Sequence, residues 1–181
     1  MTSTLILHAA PAAGFDEPFE MLLACHQRVE RMLVLLERLA QHLAQRGADA
    51  DAQQAATDVM RYFDLAGPAH HEDEERHLFP ALQASGDATL QGLVHGLQQD
   101  HQAMTARWQA VRADLLTVQA GSPPQALAAS RWAAFAGLYR RHVALEESLA
   151  YPAAQPLLGP DQRVGMGQEM AQRRGAHRPS S

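Results

Sequence analysis

Two stretches of this chain carry one pattern, and together they restrict its fold more than any other feature. His70-His71-Glu72-Asp73-Glu74-Glu75-Arg76-His77-Leu78-Phe79-Pro80 is echoed by His142-Val143-Ala144-Leu145-Glu146-Glu147-Ser148-Leu149-Ala150-Tyr151-Pro152. Aligned on the closing aromatic-Pro, both read His-x-x-x-Glu-Glu-x-x-x-(Phe/Tyr)-Pro. A His and a Glu four residues apart share one face of a helix, with Cβ atoms about 5–6 Å apart. Each phrase therefore offers one imidazole nitrogen and one carboxylate to a common point. Two such faces brought together make a cage for divalent metal ions.

The repetition extends upstream. A His-Gln pair precedes each phrase inside a helical pattern, His26-Gln27 by 44 positions before His70 and His101-Gln102 by 41 before His142. The chain thus reads as two helical hairpins of one design, each with a lone His and a His-x-x-x-Glu. Internal repetition of this kind constrains the whole architecture.

The first helix is predicted over residues 16–45 and ends at Gly47. Phe19, Leu22, Leu23, Val29, Leu33, Leu36, Ala40 and Leu43 form its apolar stripe, and His26 fills the gap in it. A third helix over 88–120 carries Leu90, Leu93, Leu97, Met104, Trp108, Val111 and Leu115, with His101 in series. The fourth, over 124–151, carries Phe135, Leu138, Leu145 and Leu149, with His142 as the missing member. In three helices a histidine stands where a bundle pattern asks for leucine. The second helix is expected to run over 51–66, break or kink at Gly67-Pro68, and restart over 68–82 with His70 and Glu74 on one side. Short connections at Gly86 and at Gly121-Ser122-Pro123-Pro124 imply an all-α, up-down-up-down four-helix bundle. Residues 1–14 read as an N-terminal tail, 15–158 as the bundle and 159–181 as a C-terminal extension: a short helix after Gly159-Pro160, then a frayed end from Arg173.

Composition excludes several classes. With 181 residues, 46% of them apolar and a net charge of −5, the chain can bury a core and has no basic block for nucleic acid. One cysteine, Cys25, rules out a disulfide framework within the chain and a multi-thiolate metal site. No stretch approaches the roughly 18 apolar residues that span a bilayer, and residues 1–14 lack the features of a secretory signal, so a cytoplasmic location is expected.

Buried imidazoles and carboxylates each cost several kcal/mol unless paired or bound to metal. A bundle of ordinary stability, about 5–15 kcal/mol, does not carry six of them idle; a metal-free hydrogen-bonded His/Glu network is the alternative to a metal. The candidate ligands are His26, His70, His101, His142, Glu74 and Glu146: four nitrogens, two carboxylates and no sulfur. Structural zinc favours four ligands and often thiolates, while calcium and magnesium favour oxygen. The mixed set suits iron, ahead of manganese or zinc. Two metals, each with two imidazoles and both sharing the carboxylates as bridges, use all six groups evenly. A bridging oxide or hydroxide would leave one position on each metal for a small ligand.

These residues resemble the hemerythrin-like, or HHE cation-binding, domain. The phrase from His70 to Pro80, its echo from His142 to Pro152, and the lone His26 and His101 follow that family's order over roughly residues 15–158. The resemblance implies a non-haem di-iron site in a four-helix bundle. Relatives include oxygen carriers, oxygen and redox sensors, iron-responsive regulators and di-iron proteins that repair iron–sulfur clusters. Dedicated carriers place a further His four residues after the one on the third helix, where this chain has Thr105, and an Asp at i+5 on the fourth, where it has Glu146 at i+4. Both departures resemble repair-type and sensor-type sites, although no counterpart of the repair proteins' cysteine-bearing N-terminal domain is found in these 181 residues.

Several assignments stay open at this level. His71 with Glu75 is a rival i,i+4 register: the repeat favours His70/Glu74, whereas Leu78 and Leu82 align with His71/Glu75. His77 is a candidate fifth nitrogen ligand, and Asp100 a candidate partner for a metal-bound imidazole. Tyr62, Tyr139 and Tyr151 are candidates to gate or hydrogen-bond a bound ligand, against simple packing; Cys25 reads as a small packed residue. His8, His42, His95 and His177 read as surface or tail residues. The expected function is binding or sensing of a diatomic ligand, O2 or NO, or of iron or redox state, with a redox or regulatory protein as a further partner. A di-iron enzyme acting on NO or peroxide, or in iron–sulfur repair, is the alternative, and a scaffold with a structural metal the third.

Overall fold

The computed structural model describes residues 14–176. Four long helical arms form the bundle, and each starts or stops for a local reason. Helix α1 (Pro18–Arg46) opens on a proline, whose missing N–H is no loss in a first turn, and ends at Gly47, which takes φ +75°. Helix α2 (Ala50–Asp73) is capped by Asp49, whose side chain accepts from the Ala52 N–H. Its arm continues through a π-helical turn, Glu74–Leu78, into α3 (Phe79–Ala84). Helix α4 (Ala88–Gln119) is capped by Asp87, and α5 (Ala128–Leu145) continues through a second π turn, Glu146–Ala150, into α6 (Tyr151–Ala154). A 3-10 turn (Gln155–Leu157) leads to α7 (Pro160–Arg173). Among the described residues no strand occurs, and no helix is long and apolar enough to cross a membrane.

The expected break at Gly67-Pro68 is not there: α2 runs through both residues. Pro68 is exposed, so the carbonyl it displaces one turn earlier faces water, where a lost helical bond is replaced. Gly67 serves packing instead. A Cβ there would stand 3.5 Å from the Tyr139 hydroxyl and 3.7 Å from the Phe63 ring, so glycine admits Tyr139 to the helix surface. The irregularity begins six residues after Pro68, at Glu74, and it occurs in both repeats. Pro80 and Pro152 follow the aromatic residue of each phrase, and a proline ring clashes with the carbonyl four residues back in a regular helix. The chain accommodates each by widening one turn: Phe79 N–H donates to the Glu74 carbonyl and Tyr151 N–H to the Glu146 carbonyl, five residues apart rather than four. Each π turn begins on a glutamate of the repeated phrase.

Apolar packing forms two layers. One contains Val29, Leu33, Leu36, Phe63, Trp108, Trp132 and Phe135; the other contains Leu22, Leu78, Phe79, Leu82, Leu97, Tyr151 and Met170. His26 stands between Leu22 and Val29, and His101 between Leu97 and Met104, each pair split across the layers. A slab of imidazoles and carboxylates therefore crosses the bundle between two dry layers.

The C-terminal residues are not frayed as expected through Arg174. Met166 and Met170 of α7 are buried in the second layer, and Gly167 lets α7 lie on Phe15, since a Cβ there would meet the Phe15 carbonyl oxygen at 1.8 Å. Arg173 and Arg174 both bind the fully buried Asp73, with contacts of 2.5–2.9 Å. The expected tail through residue 13, with His8, and residues 177–181, with His177, lie outside the described residues.

Candidate metal centre

The slab brings together all six side chains singled out by the repeat. Glu74 and Glu146 are fully buried, and His26, His70, His101 and His142 are 1–4% exposed. Their ligand atoms fall into two groups of four: His26, His70, Glu74 and Glu146, and then Glu74, His101, His142 and Glu146. Both carboxylates belong to both groups.

Each carboxylate divides its oxygens between them. Glu74 Oε1 lies 3.4 Å from His70 Nε2 and 4.0 Å from His26 Nε2, while its Oε2 lies 3.5 Å from His101 Nε2. Glu146 Oε2 lies 3.2 Å from His26 Nε2, while its Oε1 lies 2.8 Å from His142 Nε2 and 3.9 Å from His101 Nε2. The two nitrogens His101 Nε2 and His142 Nε2 stand 3.1 Å apart. Two donors about 2.1 Å from one ion and at right angles are about 3.0 Å apart, so the separations of 2.8–3.5 Å suit neighbouring ligands on one ion, while those of 3.9 and 4.0 Å are wider than that.

Hydrogen bonding alone leaves the cluster unsatisfied. Glu74 Oε2, both Glu146 oxygens, His70 Nδ1 and His142 Nδ1 are buried without a hydrogen-bond partner among the described residues. The Glu146 oxygens sit at ion-pair distance from imidazole nitrogens but lack hydrogen-bond direction, as expected of groups aimed at a point between them. The electrostatics agree. Burial pulls the His101 imidazole down, but Glu146, Glu74 and Glu75 outweigh it and hold its pKa at about 10. Burial lowers His26 too, yet Glu146 and Glu74 raise it on balance. Burial opposes the charge on Glu146, yet His101, His142 and His26 hold its carboxyl well below the usual range. The carboxylates draw positive charge into the slab, and the residues present fit a divalent cation pair.

The outer nitrogens are braced from across the bundle. His26 Nδ1 is 2.9 Å from Glu147 Oε1, and His101 Nδ1 is 2.8 Å from Glu75 Oε1. The second Glu of each phrase thus orients the lone His of the other hairpin. Such partners fix the tautomer and aim of a ligating imidazole. This role was missed in the sequence, although the doubled Glu in both phrases was its signal.

Residues 17–154 match the family described as the hemerythrin HHE cation binding domain. The chain belongs to that family. It is also 31% identical over 169 residues to a Haemophilus influenzae protein described as uncharacterized, across 93% of this chain and 96% of the relative.

Of the rival registers, Glu74 points into the slab, whereas the Glu75 side chain is 46% exposed and contacts the outer edge of His101. His71 is buried with His70 rather than instead of it. His77 lies outside, 2.8 Å from Glu169. Asp100 approaches His142 Nδ1 at 3.4 Å rather than serving its neighbour His101. Tyr62 donates to the Cys25 carbonyl, and Cys25 is packed, with burial pushing its thiol up. His42 pairs with Asp49, and His95 is exposed. Tyr151 is the tyrosine at the centre: its hydroxyl donates to Glu74 Oε1 and lies 3.1 Å from His26 Nε2. Burial, with Glu74 and Glu146 beside it, holds that phenol protonated. Its counterpart in the first repeat is Phe79, stacked on His101. Pockets of about 290 Å³ and 300 Å³ reach the slab from opposite sides, one ending at His71 and the other at His26, with Tyr139 lining both.

Proposed function

We propose that the protein holds two iron ions, one by His26 and His70 and the other by His101 and His142, with Glu74 and Glu146 bridging them, and that it binds or senses a small diatomic ligand, O2 or NO, or iron or redox state. The observation that carries this reading is the division of each carboxylate's oxygens between the two imidazole pairs. A metal-free hydrogen-bonded network has no reason for that division and would pair the orphaned oxygens directly. Iron suits mixed imidazole and carboxylate donors, and the bound pair would supply redox chemistry and open coordination. The protein's own contribution is orientation by Glu75 and Glu147, exclusion of bulk water by the two apolar layers, and a protonated hydroxyl from Tyr151 beside the His26 pair. That hydroxyl also favours the second reading, a di-iron enzyme acting on NO or peroxide or in iron–sulfur repair, because reduction of such a molecule consumes protons.

The test is metal content and an optical spectrum on protein purified without oxygen and then exposed to air. About two irons per chain, with new near-ultraviolet and visible bands on oxidation, support the centre. Tightly held zinc with no response to oxidant refutes it. Steady-state consumption of NO or peroxide with an electron donor separates the enzyme from the binding protein.

A further inference from the structure

The pocket that ends at His71 is far larger than a diatomic ligand needs. It holds about 290 Å³, near the lower end of cavities that take small organic molecules. Phe63, Met104 and Trp108 are its buried walls, and Tyr139 closes the inner end beside His71. The walls are set before anything binds. The Trp108 indole N–H donates to Asp64 at 2.9 Å, and Asp64 is held in turn by Arg112 at 2.9 and 3.0 Å. The Phe63 ring packs 5.1 Å from Trp108 and 5.3 Å from Tyr139. Fixed aromatic rings and a thioether suit a flat aromatic guest.

The pocket is apolar along its length and polar at both ends. Thr105 and Gln109 stand on the exposed rim. At the inner end Tyr139 is 5% exposed, and its hydroxyl makes no hydrogen bond to a described residue. Burial holds that phenol protonated, so it is a ready donor. Its ring lies 5.9 Å from His71, whose ring is stacked on His101 of the metal cluster with centroids 3.9 Å apart and planes at 11°. A run of rings thus connects the pocket to the slab.

We propose that this pocket binds a small phenol of the hydroquinone type and that the bound molecule feeds electrons to the metal pair. Its ring lies among Phe63, Met104 and Trp108, with one hydroxyl accepting from Tyr139 and the other at the rim. The electron delivery rests on the two-iron reading above, whereas the binding does not. Hydroquinone loses two electrons and two protons and leaves as quinone. Each of two ferric ions takes one electron and becomes ferrous, and the protons pass to water at the pocket mouth.

The experiment uses the full chain with iron bound, in the absence of oxygen. With the iron reduced, calorimetric titration with 1,4-hydroquinone should show one saturable site per chain. Thr105→Trp, which fills the mouth from an exposed position, should weaken binding at least tenfold. Tyr139→Phe should weaken it about threefold, through loss of one hydrogen bond. No saturation at millimolar hydroquinone, or unchanged affinity in both variants, overturns the site; if Thr105→Trp does not fold, Tyr139→Phe decides. With the iron oxidised, excess hydroquinone should bleach the visible bands and yield one quinone per two irons reduced, at least tenfold more slowly in Thr105→Trp. Saturable binding with no quinone formed, or at a rate that Thr105→Trp leaves unchanged, overturns the delivery and leaves the site. Absence of bound iron brings down the two-iron reading and the delivery with it, and the titration still decides the site.

Discussion

Glu147→Ala and Glu75→Ala test the cross-bracing of the centre, and their effects follow from the geometry. Each substitution removes the carboxylate that holds the Nδ1 of one inward-facing imidazole, His26 at 2.9 Å or His101 at 2.8 Å. Loss of such a partner typically costs about 10–100-fold in metal affinity. The Glu147 and Glu75 side chains are 45% and 46% exposed, so water can replace them in part, and the lower end of that range, about tenfold, is expected. At free metal about 100 times the wild-type Kd, binding stabilises the fold by about 2.7 kcal/mol; a tenfold weaker Kd reduces this to about 1.4 kcal/mol. For a chain of this size that difference is about 3–5 °C in Tm. The metal-free variants should lose little, because an ion pair with a half-exposed partner is worth about 0–1 kcal/mol. The assay is thermal unfolding of each protein with and without iron, under anaerobic conditions, beside a chelator competition titration. The reasoning is refuted if the metal-free variants fall as far as the loaded ones, leaving the metal-induced shift undiminished. Glu147 and Glu75 would then brace the fold rather than the metal.

Replacing His142 or Glu146 with Ala should lose metal, whereas His77→Leu should leave the stoichiometry intact, as metal analysis after gel filtration would show. Asp73→Ala leaves Arg173 and Arg174 facing an empty buried site. Breaking a buried pair costs about 3–5 kcal/mol; these arginines, 17% and 21% exposed, regain some water, so about 2–3 kcal/mol is expected from denaturant unfolding. A loss under about 0.5 kcal/mol would refute the view that α7 is latched there. Glu169 has its pKa lowered to about 2 by Arg173, against burial, with help from His77. A depressed carboxyl pKa stabilises above the unfolded value and loses that contribution as pH falls. The stability curves of wild type and Glu169→Gln should therefore differ modestly at neutral pH and converge between about pH 4.5 and 2; a constant offset across that range would contradict the linkage.

The sequence made the slab legible because His26, His101 and His142 interrupt leucine stripes, and a helix period leaves such residues no choice but to face the core. The same period could not separate Glu74 from Glu75, since adjacent positions differ by about a quarter turn; the repeat favoured Glu74, and packing puts Glu75 at the rim. Pro68 read as a break because the rule for proline counts the lost donor and the clash, not whether the displaced carbonyl can reach water. The prolines that do change the helix, Pro80 and Pro152, were visible as part of the motif, but their consequence is a wider turn rather than an end. The latch of α7 was hidden altogether. Asp73 stands in an acidic run that reads as surface, and its partners are a hundred residues away.

The arrangement also explains why the design appears twice. One hairpin offers two imidazoles and a single carboxylate, and that carboxylate's second oxygen points at the other hairpin's pair. Neither hairpin can complete its own cluster, because each lacks the fourth donor until its partner's glutamate arrives. The outer braces cross in the same sense, Glu147 to His26 and Glu75 to His101, so an inward imidazole on each side is aimed by a residue of the other hairpin. A duplicated helix pair with these contacts ties the geometry of the centre to the docking of its halves. The places where the repeat is broken, His71 against Val143 and Tyr151 against Phe79, then make two inherited half-sites chemically different.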